Sequence, residues 1–182
     1  VSPGSARSHR NPSAASGAVG SAVGFLAKQR GCRVVGIAGG ADKCRYVVEE
    51  LGFDACVDYK QHADLMGLAK ALKAECPNGI DGNFENVGGK VLDAVMMRTN
   101  AFARLAVCGM IAGYNGEPIP MQYPQLILTN RLKVQGFIVS EQMEVWPQAL
   151  QELAQAVGSG QFRPRETVAE GLKSAPEAFL GL

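Results

Sequence analysis

From Gly31 onward, short apolar and β-branched runs alternate with helix-forming stretches, and glycine or proline marks most of the joins. The runs lie at 33–38, 55–58, 80–84, 104–108 and 134–139. They are nearly continuous in apolar residues, as strands covered on both faces must be, and predict five parallel strands. Helices are predicted at 42–51, 63–75, 89–99, 122–130 and 142–158, after a first helix that begins in a glycine cluster and stops at Gly31. Asp42 reads as an N-cap and Gly52 as a C-terminal stop. Strands alternating with helices in this way imply an α/β fold, a doubly wound parallel sheet (Rossmann) with its ligand at the carboxyl ends of the strands.

At 182 residues the chain has room for one such domain. Its 18 Lys+Arg balance 17 Asp+Glu to a net charge of +1, so no long-range field favours nucleic acid or an anionic membrane. No apolar run approaches the ~18 residues of a membrane span. The five cysteines, Cys32, Cys44, Cys56, Cys76 and Cys108, form no C-x-x-C pair, and reduced thiols in the cytoplasm are expected. Arg7, His9 and Arg10 before the mild apolar run 14–27 have the outline of a signal peptide, but glycines at 17, 20 and 24 suit close backbone approach better than a hydrophobic signal core.

The ends fit the pattern less well. Residues 1–12 are polar and hold two prolines, so they are expected to be foreign or disordered, with residues 13–182 forming a domain that lacks its first strand. A sheet missing that strand would expose an interior edge. The helix signalled by Ser174-Ala175-Pro176-Glu177 has barely begun at Leu182, and the chain reads as truncated at both ends.

The cluster Ala15-Ser16-Gly17-Ala18-Val19-Gly20 is an A-x-G-x-x-G form of the dinucleotide fingerprint. Gly17 lets backbone approach a pyrophosphate, Gly20 lets the helix pack closely, and the first-turn N–H groups face the negative charge. At the end of the next strand, where an NAD-binding chain presents a carboxylate to the ribose, stand Ala38, Gly39 and Gly40, followed by Lys43 and Arg45. Cations there favour the 2′-phosphate of NADP, against the plainer reading of solvated charges in a first helical turn.

Several blocks in order carry a resemblance: S-A-A-S-G-A-V-G-S, G-C-R-V-V-G-I-A-G-G-x-x-K-C, E-L-G-F-D-A-x-x-D-Y-K, C-P-x-G-I-D, E-N-V-G-G, C-G-x-I-x-x-Y-N and a late E-G-L. From about Ser13 to Leu182 the chain resembles the NADP-binding domain of the zinc-independent medium-chain dehydrogenase/reductases, in the prostaglandin reductase, leukotriene B4 12-hydroxydehydrogenase and curcumin reductase-like branch. The resemblance puts Gly17, Ala18, Val19 and Gly20 on the pyrophosphate, with Lys43 and Tyr59 at the 2′-phosphate. Along the rest of the cofactor it puts Gly39, Asn86, the loop Cys108, Gly109, Met110, Ile111 to Tyr114, and Phe137, Ile138 and Val139; Tyr114 reaches the nicotinamide ribose as the catalytic candidate. Taken alone, Tyr59 reads as a half-buried strand-end aromatic, Asn86 as a turn residue and Cys108 as a small core residue. Glu85 departs from the family, which more often has Asp there.

The resemblance implies an NADPH-dependent reductase of the C=C bond of α,β-unsaturated ketones and aldehydes, homodimeric at full length. A non-catalytic nucleotide-binding module or an inactive fragment is the competing reading, and residues 1–182 alone are expected to lack enone reductase activity because one wall of the cleft is absent. An S-adenosylmethionine methyltransferase shares the glycine turn, but Lys43 stands where it needs an acid. Only His9 and His62 accompany scattered cysteines, so no zinc site is expected. Other signatures are missing too: a tyrosine four residues before a lysine, a G-x-S-x-G elbow and a G-K-[ST] phosphate loop.

Overall fold

A computed structural model describes residues 9–116 and 118–180. Six strands appear in it: β1 (His9–Pro12), β2 (Arg33–Ala38), β3 (Ala55–Asp58), β4 (Ile80–Glu85), β5 (Thr99–Val107) and β6 (Lys133–Gly136). The α-helices are α1 (Ala18–Gln29), α2 (Ala41–Glu49), α3 (Leu65–Glu75), α4 (Gly89–Met96), α5 (Gln125–Thr129), α6 (Trp146–Gly158) and α7 (Ala175–Leu180). Every pairing is parallel, in the order β3-β2-β1-β4-β5-β6. The chain therefore has the doubly wound Rossmann arrangement, with the strand order reversing between β1 and β4.

The expectation of a missing first strand fails. His9–Pro12 fills the central slot, paired to β2 on one side and β4 on the other. The side chains of H-R-N-P are polar, but a slot flanked by two strands supplies backbone partners on both sides. Pro12 stands last in the strand, and Ser13 N–H donates to Phe84 O immediately after it. His9 is buried with its ring nitrogen 2.7 Å from Gly79 O, and its backbone N–H donates to the Asp81 carboxylate. Arg10 runs across the bare backbone of Gly82, where any Cβ would collide with it. The remainder of the 1–12 expectation, residues 1–8, lies outside the described residues.

Smaller corrections follow from local geometry. Helix α2 starts one residue early because Gly40, at φ +104°, forms the N-cap, leaving Asp42 in the first turn paired to Arg45. Strand β5 begins at Thr99, well before the expected 104, while β6 ends at Gly136, so Phe137, Ile138 and Val139 follow the strand.

Both faces of the sheet are covered. Val34 of β2 packs with Tyr46 and Val47 of α2 and with Phe53. Its neighbours Val35 and Ile37 pack with Leu68 and Leu72 of α3 and with Val91, Ala94 and Val95 of α4. This alternation is the strand's two-residue period. On α1, Phe25 stacks on Phe162 at 5.0 Å, with Ala156 of α6 in the same cluster. Among the described residues no helix is long and apolar enough to cross a membrane.

One residue of β1 is poorly matched to its place. Asn11 is 1% exposed and faces Asn83 across the β1–β4 ladder, yet neither of its side-chain polar atoms finds a partner among the described residues. An unpaired buried amide costs about 1–3 kcal/mol. Asn11→Val is expected to raise stability by about 1–2 kcal/mol, read as a higher urea midpoint at unchanged m; a lower midpoint would show that the amide is satisfied in solution.

Candidate functional site

The turns leaving the carboxyl ends of β1, β2, β4 and β5 converge on the point where the strand order reverses. After β1, residues Ser13 to Ser16 curl back, Gly17 N–H donates to Ala14 O, and Ala15 N–H donates to Ile37 O at the end of β2. Gly17 caps α1 in extended conformation, and no acidic residue occupies the helix's first turn. The first-turn N–H groups of Ala18, Val19 and Gly20 are the donors an α-helix leaves unpaired, and they carry the positive end of its dipole. Gly17, Ala18 and Val19 are exposed, whereas Gly20 is buried. A Cβ at Gly20 would overlap Ala14 O and come 2.8 Å from Ala15 Cα, so only glycine lets α1 sit this close to the turn. A Cβ at Gly17 would meet only Ala14 O, at 3.4 Å, so the space in front of the turn is open.

At the end of β2, Gly39 lies beneath Tyr59 and Lys60, whose atoms a Cβ there would meet at 2.8–3.0 Å. Tyr59 begins a 3-10 turn directly after β3. The Asp58 carboxylate accepts from the N–H groups of Gly40 (2.8 Å) and Lys60 (3.0 Å), and the Gly40 bond in particular holds Asp58 below the usual carboxylate range. Lys43 and Arg45 are both exposed, but Arg45 is committed to Asp42, while Lys43 forms no ion pair among the described residues. Of the two cations singled out in the sequence, Lys43 is the one without an ion-pair partner among the described residues.

The switch point itself is tied together by a buried carboxylate. Glu85, 0% exposed, ends β4 and accepts through Oε1 from the Ser13 hydroxyl (2.9 Å) and from the N–H groups of Val87 (2.7 Å) and Gly88 (2.9 Å). Its Oε2 accepts from Asn83 at 2.8 Å. Asn86 donates from its backbone to Ser13 Oγ and from its side chain to Ser13 O, closing β4 onto β1. Gly88 follows at φ +79° and caps α4.

The loop after β5 completes this side. Cys108 and Gly109 donate from their backbones to Glu85 O, and Ile111 donates to Asn86 O. Cys108 is exposed, which sets aside the reading of it as a core residue. The Tyr114 hydroxyl would lie 3.1 Å from a Cβ at Gly109, beside Asn86 O, on a side chain that is 70% exposed. Met110 flanks Gly88. Phe137 meets Phe84 edge to face at 5.8 Å. Ile138 and Val139, which follow Phe137 out of β6, are exposed and line an apolar groove of about 330 Å³ with Phe137 and Val145, Trp146, Leu150 and Leu153.

Thus Gly17 to Gly20, Asn86 and the Cys108–Tyr114 loop gather around β1, β4 and β5, and Gly39, Lys43 and Tyr59 gather at the ends of β2 and β3. Sequence reasoning missed Ser13 and Asp58, and it saw Glu85 only as a variant letter. An acidic side chain at the buried end of a strand, directly after Phe84, was the available signal for Glu85. Among the described residues, no three His, Cys, Asp or Glu side chains come together to hold a metal ion.

Residues 18–155 match the family described as Zinc-binding dehydrogenase. The NADPH-dependent curcumin reductase of Escherichia coli is 45% identical over 93% of this chain and 50% of its own length. The 2-alkenal reductase (NADP(+)-dependent) of Nicotiana tabacum is 43% identical over 93% of this chain and 49% of its own. The crystal structure of CurA from Vibrio vulnificus in complex with NADPH is 41% identical and superposes with a TM-score of 0.84, over 96% of this chain and 53% of that one. The chain spans about half the length of the curated relatives it matches.

Proposed function

The chain belongs to the zinc-binding dehydrogenase family, in its zinc-independent medium-chain dehydrogenase/reductase branch, and from that premise we propose that it is the NADPH-binding half of a reductase of α,β-unsaturated ketones and aldehydes. The observation that carries the reading is the convergence of Gly17–Gly20, Asn86 and Gly109 on the β1/β4 reversal, with Lys43 beside the end of β2. The open space in front of Gly17 and the unpaired N–H groups of α1 fit a pyrophosphate. Gly39, Lys43 and Tyr59 fit the 2′-phosphate end, and Asn86 and the Cys108–Tyr114 loop fit the ribose and nicotinamide. When bound, the nicotinamide supplies a hydride to the β-carbon of the unsaturated carbonyl compound. The chain's own part is to hold and orient: Glu85 fixes the Asn86 turn, Gly109 leaves room for the Tyr114 hydroxyl, and Tyr114 reaches the nicotinamide ribose.

The family description implies zinc, and the donor set does not fit one. Among the described residues, His9 is buried against Gly79 O and Cys44 faces Cys56, so these groups are engaged elsewhere. The same reading takes the protein to be cytoplasmic, homodimeric at full length and without a nucleic-acid or membrane partner, in keeping with its net charge of +1.

The test is a protein in which this chain follows the N-terminal half found in its relatives, assayed for NADPH oxidation with an unsaturated ketone. Turnover with the enone and none with its saturated analogue is expected, together with a partial loss in Tyr114→Phe. Tight NADPH binding without turnover on any unsaturated carbonyl compound would favour a non-catalytic nucleotide-binding module.

A further inference from the structure

Two cysteines that the proposed reduction does not use lie against each other. Cys44 sits in α2 and Cys56 in β3, and their sulfurs are 2.8 Å apart. A disulfide bond is ~2.05 Å long, so less than 1 Å of approach separates this contact from a covalent bridge. Cys56 is held by the β2–β3 ladder opposite Gly36, and Cys44 lies in a regular helix whose N–H donates to Gly40 O. Closure therefore asks for side-chain rotation and not for a refolded backbone. Both sulfurs border a cavity of about 430 Å³, lined also by Ala41, Asp58, His62 and Glu75, through which a small oxidant reaches them.

We propose that Cys44 and Cys56 form a modification site at which hydrogen peroxide closes a reversible intramolecular disulfide. The Cys44 sulfur, as thiolate, attacks one peroxide oxygen; the O–O bond breaks, the departing hydroxide takes up the thiol proton as water, and Cys44 becomes a sulfenic acid. The Cys56 sulfur then attacks the Cys44 sulfur, giving up its own proton, and the sulfenic hydroxyl leaves as a second water. Two thiols lose two electrons and two protons, and one peroxide becomes two waters.

Burial raises both thiols above the ordinary cysteine range, and the Asp58 carboxylate adds to the rise. The resting state at neutral pH is therefore the dithiol, and selectivity comes from the adjacent resolving sulfur and not from a reactive thiolate. Exposed Cys108 is a free cysteine of the other kind, open to oxidant. The inference stands independently of the cofactor assignment.

The test treats the chain with hydrogen peroxide, blocks remaining thiols by alkylation and maps non-reduced peptides by mass spectrometry. The expected product is a Cys44–Cys56 linked peptide, lighter than the two free peptides by two hydrogens and lost on treatment with dithiothreitol. Bridging also constrains the unfolded chain, so the oxidised protein is expected to melt at a higher temperature than the reduced protein. Cys56→Ser removes the linked peptide and leaves Cys44 as a sulfenic acid that dimedone traps. The proposal is overturned if peroxide that fully modifies Cys108 leaves both thiols free, or if Cys44 or Cys56 ends as sulfinic acid or linked to a different cysteine. The map of the unsubstituted chain decides the matter even where a variant fails to fold.

Discussion

Lys43→Ala is expected to weaken NADPH binding about ten- to a hundred-fold while leaving NADH binding nearly unchanged, because a charge-assisted contact to a phosphate is worth roughly 1.5–3 kcal/mol and only NADPH carries the 2′-phosphate. The magnitude rests on Lys43 acting alone. Arg45, the other cation of α2, is paired to Asp42, and the Asp58 carboxylate is already satisfied by Gly40 and Lys60 N–H groups. Lys43 is exposed, so its removal opens no cavity and leaves the fold intact. Calorimetric titration of both nucleotides checks this. Equal losses for NADPH and NADH would show that Lys43 supports the helix and not the phosphate.

The second large effect belongs to Glu85. Glu85→Ala strands the Ser13 hydroxyl, two backbone N–H groups and the Asn83 amide in a site with no access to water. Each buried donor left unpaired costs about 1–3 kcal/mol; after Ser13 and Asn83 reorient, a net loss of about 3 kcal/mol or more remains. Glu85→Gln provides the control. Its carbonyl oxygen retains the three bonds at Oε1, and its amide faces Asn83, whose Oδ1 has no partner among the described residues and becomes the acceptor when that amide flips. Its stability is expected to stay within about 1 kcal/mol of the parent, measured by urea unfolding. If the Gln variant fell as far as the Ala variant, the carboxylate's charge and not its acceptor geometry would be what closes β4 onto β1.

Much of this architecture was legible because parallel strands buried on both faces leave continuous apolar runs, and glycine marks where backbone meets backbone. Gly20 is the clearest case: its contact with Ala14 and Ala15 is what the fingerprint requires. The central strand was not legible, since H-R-N-P carries no apolar signal and its place depends on β2 and β4, which lie far away in sequence. The same non-local origin hid Ser13, whose importance comes from Glu85 and Asn86 across the switch point. The resemblance groups Ile138 and Val139 with the cofactor; β6 ends at Gly136, and both residues line the groove beside α6.

The most direct measurement of the central claim, that the carboxyl edge of this sheet binds NADPH, is amide hydrogen exchange of the chain with and without saturating NADPH. The account predicts slowed exchange in residues 17–21, 39–44, 86–89 and 108–114, weaker protection of 39–44 with NADH, and no change in α6 or α7. Protection confined to the groove beside α6, or none at any nucleotide concentration, would contradict it.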